Sequence, residues 1–164
     1  MIRKQYPGIE FEKGWRNQIL DSLSLEKRNI LVWDDQITVA SSSSSAADLF
    51  TKLSNHNNLT VIYLVQNVYN QRKSQRTISI NSNYRLVYRS GRDASQFCTM
   101  ANQICPNNGK WLVDSFTDAS SKPYKFLVLD HHTSTPEDQT VVTNILFKDQ
   151  LIYYINSNAK VKRH

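Results

Sequence analysis

The sequence predicts an α/β domain built on a mostly parallel sheet with flanking helices. Short apolar runs, partly β-branched, recur along the chain: Ile30-Leu31-Val32-Trp33, Val61-Ile62-Tyr63-Leu64-Val65 and Phe126-Leu127-Val128-Leu129. Nearly continuous apolar character over four or five residues is the mark of a buried parallel strand. Segments with the apolar period of a helix lie between these runs, and strands alternating with helices lead to a sheet joined by right-handed crossovers.

Taken in order, Ile19, Leu20 and Leu23 mark a first helical segment ahead of the 30–33 strand. The five serines from Ser41 to Ser45 are low complexity and read as a loop or a polar helix start. Ala46, Leu49, Phe50 and Leu53 mark the next helix, which leads to the 61–65 strand. Arg85-Leu86-Val87-Tyr88 alternates and is a shorter strand candidate. Phe97, Met100, Ala101 and Ile104 form a full i, i+3, i+4, i+7 stripe, and Asp93 with Gln96 ahead of it resembles a capping box. Lys122-Pro123 punctuates the approach to the 126–129 strand. The expected arrangement puts Val32, Leu64 and Leu127 on buried parallel strands. The sequence shows no repeat and no domain boundary: residues 1–155 read as one domain and 156–164 as a basic, disordered tail.

Bulk properties narrow the functional classes. The chain has 164 residues, 40% hydrophobic and 21% charged, which suits a soluble domain with a core. No run of eighteen apolar residues exists, so no membrane span is expected. The Met1-Ile2-Arg3-Lys4-Gln5-Tyr6 start lacks the apolar core of a signal peptide. Cys98 and Cys105 are seven apart in a helix-like stretch, about 10 Å along the axis and too far for a disulfide. They read as reduced core thiols of an intracellular protein. A net charge of +6 suggests a polyanionic partner such as nucleic acid.

The 30–33 run ends in Asp34-Asp35. Open α/β sheets bind ligands at the C-terminal ends of their strands. One carboxylate there can hold magnesium beside a triphosphate, and a second can polarise the attacking water, which is the Walker B pattern. Such acids also serve as ordinary helix N-caps. The 61–65 run ends in Gln66-Asn67, amides able to hydrogen-bond a phosphate oxygen and the attacking water; a turn with solvated amides is the plain alternative. Asp34, Asp35 and Gln66 are expected to cluster at one edge of the sheet. Asp130-His131-His132 reads as a strand-end loop, because adjacent residues on a strand point to opposite faces and chelate poorly. No Ser-His-Asp or Cys-His set has supporting spacing.

Trp33-Asp34-Asp35, Leu49-Phe50-Thr51, Asn55-His56-Asn57-Asn58 and the Gln66-Asn67 strand end follow one another along the chain. Then come the stretch from Arg76 through Asp93, Pro123 to Asp130, Thr135-Pro136-Glu137 and Thr143-Asn144-Ile145-Leu146-Phe147. In this order the segments resemble the genome-packaging ATPases of the FtsK/HerA superfamily, in particular the poxvirus-type enzymes of Polinton (Maverick) elements and related double-stranded DNA viruses. The resemblance covers about Tyr6 to Tyr154. It implies a P-loop sheet of the RecA/FtsK type, ATP with Mg2+ held by Asp34, and Gln66 and Asn67 near the phosphates. It also implies a ring of like subunits driving double-stranded DNA into a capsid, at a virus assembly site or in the virion. Arg76 and Arg92 match positions where the family carries arginine, so either is a candidate finger toward a neighbour's γ-phosphate. Arg72, Lys73 and Arg89 read as surface or DNA-facing charges.

The family's Gly-Lys-Ser/Thr loop is not among these residues. Its phosphate-binding lysine and N–H cradle are therefore unassigned; the one Gly-Lys pair, Gly109-Lys110, is followed by Trp111. Pro7-Gly8-Ile9-Glu10-Phe11 resembles the family's strand just ahead of Walker B, so the expectation is a form lacking the first βα unit and feebly active or inactive alone. The competing expectation is a non-catalytic relative that binds DNA or a capsid partner.

Overall fold

The computed structural model describes residues 8–12, 23–24, 26–34, 50, 58–66, 73–90, 94–146 and 150–155, with 73–76 and 94 described by their backbone alone. The described residues are α/β, and the chain divides into two compact units where the sequence shows no boundary. Unit 1 takes residues 1–66 and 71–81, and unit 2 takes 67–70 and 82–164.

Unit 1 holds a parallel pair, β1 (Asn29–Asp34) and β2 (Leu59–Leu64), and the helix α1 (Lys73–Asn81). The register runs from Asn29 opposite Leu59 to Asp34 opposite Leu64. Asn residues set the strand starts. Asn29 donates its N–H to the Asn58 carbonyl at 2.9 Å and its Nδ2 to the Ser24 carbonyl at 2.7 Å. Asn58 itself sits at φ 46°, a left-handed conformation that asparagine tolerates well. Side chains alternate along each strand. Trp33 and Leu59, with Leu31, Val61 and Tyr63, face Ile78 of α1, and the Trp33 and Tyr63 rings lie 5.7 Å apart.

The opposite face departs from expectation. Ile30, Val32, Ile62 and Leu64 are 68, 56, 42 and 45% exposed. The two runs are parallel strands as predicted, but Val32 and Leu64 are not buried. Their apolar character suits a strand covered on both sides, and among the described residues only the Trp33 side is packed.

Unit 2 is an antiparallel sheet in the order β3-β4-β5-β6: Tyr84–Tyr88, Phe126–Asp130, Val141–Thr143 and Leu151–Ile152. Two helices, α2 (Ala94–Ile104) and α3 (Gly109–Ala119), connect β3 to β4. The predicted stripe is the packed face of α2: Phe97, Met100 and Ala101 are buried and Ile104 packs beside them. They meet Leu112 and Phe116 of α3 over Val87, Leu127, Leu129 and Val141, with the Phe97 and Phe116 rings stacked at 4.0 Å. Phe126, Val128 and Val142 fill a second cluster with Ile152. Leu127 is thus fully buried as predicted, worth roughly 1.5–3 kcal/mol. Its strand, however, runs antiparallel to both neighbours. A mostly parallel sheet is not what the described strands form: one parallel pair stands against a four-stranded antiparallel sheet. An apolar run carries no information on strand direction.

Candidate functional site

The C-terminal ends of β1 and β2 carry the residues the sequence singled out. Asp34 is the last residue of β1 and is exposed. It stands opposite Leu64, and Gln66 follows two residues later at a bend, also exposed. In a parallel pair, facing residues share a face, and residues two apart keep it. Asp34 and Leu64 therefore share the face of the exposed Ile30, Val32 and Ile62. Asp34 and Leu64 are lateral neighbours about 4.8 Å apart across the pair, and Gln66 lies beyond the regular part of β2.

The remaining predicted site residues are described less fully. Asp35, Asn67 and Arg92 lie outside the described residues. Arg76 lies in α1, two residues ahead of the core residue Ile78, with its backbone alone described.

Asp34 is the described residue at this strand end able to offer magnesium a carboxylate. Among the described residues no three His, Cys, Asp or Glu side chains come together as a metal cage. Magnesium seldom needs such a cage, since it keeps several waters and takes one or two carboxylates plus phosphate oxygens. Asp34 offers one such hard oxygen ligand.

The other candidate motifs resolve into structure. Asp130 closes its own turn: Oδ1 accepts the His132 N–H at 2.8 Å and Oδ2 accepts the Thr135 hydroxyl at 2.9 Å. Asp130-His131-His132 is therefore the expected strand-end loop. Burial of the His131 imidazole pushes its pKa below the ordinary value; the nearby Arg85 charge adds to this and Asp130 opposes it. Gly109 starts α3 where it meets α2, and a Cβ there would collide with the Asn102 side chain. The Gly-Lys pair is thus a helix-packing feature. Both cysteines are free, as expected, but Cys98 is exposed on α2 and is not a core thiol. Cys105 is half-buried, and burial pushes its thiol pKa up. That keeps it in the unreactive protonated form.

Sequence reasoning missed one cluster. Arg89 reads in the sequence as a surface or DNA-facing charge, and Lys122-Pro123 as punctuation. In unit 2 they meet at one groove of about 540 Å³ with Tyr88, Tyr124 and Lys125. Lys122-Pro123-Tyr124-Lys125, basic residues with an aromatic between them, was the available signal.

No family model matches the chain, and neither the curated proteins nor the solved structures give a match. Among the described residues no helix is long and apolar enough to cross a membrane.

Proposed function

We propose that the chain carries the Walker B and sensor part of a DNA-packaging ATPase, with ATP and Mg2+ as its cofactors and double-stranded DNA as the moved partner. One observation carries the reading: β1 and β2 are adjacent parallel strands that end together with Asp34 opposite Leu64, and Gln66 follows two residues beyond. In this role Asp34 holds magnesium beside the phosphates and Asp35 polarises the attacking water. Gln66 and Asn67 read the γ-phosphate, and Arg76 or Arg92 reaches a neighbouring subunit in a ring. The fold behind the reading is a P-loop sheet of the RecA/FtsK type, of which β1 and β2 are the pair beside the nucleotide. A non-catalytic DNA- or capsid-binding module is the second reading. The antiparallel sheet of unit 2 favours it, because that sheet owes nothing to phosphate chemistry.

Binding of ATP to the whole chain tests the proposal. The expected result is weak binding that requires magnesium and is lost in Asp34→Ala. Hydrolysis stays near background, because each missing phosphate donor typically costs a hundredfold or more. ATP binding that is indifferent to chelation of magnesium, or unchanged in Asp34→Ala, sinks the reading.

A further inference from the structure

The groove in unit 2 has a composition that the nucleotide site does not explain. β3 ends at Tyr88 and continues to Arg89, while the turn after α3 runs through Lys122, Pro123 and Tyr124 to Lys125 ahead of β4. The antiparallel register, Tyr88 opposite Phe126, brings the two segments side by side. Among the described residues, the groove between them has three cationic side chains in its lining and no acidic one. Asp118, near the end of α3, already accepts the Tyr153 hydroxyl at 2.6 Å. Lys125 is tethered, donating from Nζ to Asn144 Oδ1 at 2.7 Å, so its charge is held in place. Arg89 and Lys122 are exposed.

Two aromatic rings accompany these charges. Tyr124 is 93% exposed at φ 63°, a left-handed conformation that side chains of its size rarely adopt. A ring held this far out contributes almost nothing to the core. Tyr88 leans on Phe126 at a ring distance of 4.9 Å and remains 54% exposed. A cationic groove flanked by open aromatic rings is the arrangement that holds single strands: charges follow the backbone, and rings stack on bases of any identity. In a duplex those base faces are already covered.

We propose that this groove binds single-stranded nucleic acid, with Arg89, Lys122 and Lys125 on backbone phosphates and Tyr124 and Tyr88 stacking on unpaired bases. The site draws on unit 2 alone and is independent of the nucleotide reading, so its test omits ATP.

Fluorescence polarisation of a short labelled oligo(dT) with the whole chain provides that test. Three phosphate contacts at about 0.7 released counterions each predict a log–log salt slope of about −2. Tyr124→Ala should weaken binding about tenfold, while Tyr124→Trp should preserve it. Tyr124 is exposed, so neither change disturbs the core, and circular dichroism verifies that. Arg89→Gln with Lys122→Gln should cut the slope to about −0.7. The matching duplex and heparin should bind more weakly and without regard to Tyr124. Equal affinity in Tyr124→Ala, or a duplex bound as tightly as the single strand, overturns the proposal and leaves a general polyanion patch.

Discussion

His131 shows how a single side chain in this protein responds to its surroundings. The residue is exposed overall, yet its imidazole is partly desolvated beside Arg85, and both effects favour the neutral ring. The folded pKa is therefore below the unfolded value of about 6.5. Between the two values the unfolded chain binds the extra proton, so stability rises with pH across that window. The contribution is complete above about pH 6.5 and is lost as pH falls through the folded pKa. Urea midpoints measured from mildly acidic to neutral pH should show this fall, and His131→Gln should flatten it. An equal slope in the variant would place the proton uptake elsewhere. Arg85, also held below its ordinary pKa by burial, remains charged throughout.

At the scale of elements, the exposed face of β1 and β2 is the unusual feature. Parallel strands are ordinarily covered on both faces. Here Ile30, Val32, Ile62 and Leu64 form one apolar surface ending in Asp34. A contiguous patch of this kind takes up hydrophobic dyes and favours self-association. The protein should therefore enhance anilinonaphthalene sulfonate fluorescence in its native state. Replacing Val32 and Ile62 with threonine should reduce the signal by about half or more while retaining β structure, since both are β-branched. Undiminished dye fluorescence in that variant would locate the patch elsewhere. The same strands show what the residues disclose in advance. The α2 stripe and the alternation of β3 were legible because periods of 3.6 and 2 are local properties. The end of β1 at Asp34 was legible because the apolar run stops there. The antiparallel direction of β4 was not, because direction depends on where the connecting helices deliver the chain. The groove was legible only in part: Lys122-Pro123-Tyr124-Lys125 announced its charges and ring, but Arg89 joins them only through the register of β3 with β4.

At the scale of the whole molecule, the described strands form two separately hydrogen-bonded sheets, and the chain divides into two compact units. Unit 2 has a larger described core, with Leu112, Leu127 and Leu129 at 0, 0 and 1% exposure. Unit 1 packs Trp33, Leu59 and Ile78 and leaves one strand face open. Local stability follows buried apolar contact. Amide hydrogen exchange should therefore find the β4 amides the slowest in the chain and those of β1 and β2 faster by at least about tenfold. Matching protection in β1 and β4 would mean that the two units open as one.

The end of the sheet gives the protein a built-in optical gauge. β6 is only two residues long, and Tyr153 extends its hold by donating its N–H to the Val141 carbonyl at 2.8 Å. The indole N–H of Trp111 on α3 reaches across to the Tyr154 carbonyl at 3.1 Å, and the Tyr153 hydroxyl reaches Asp118. Two side chains from a central helix thus grip a strand that backbone pairing alone holds loosely. When that strand peels away, Trp111 loses its partner and gains water while the helix beneath it remains folded. Its emission then shifts to the red ahead of any loss of helical ellipticity, so detachment of the terminal strand can be timed by light alone.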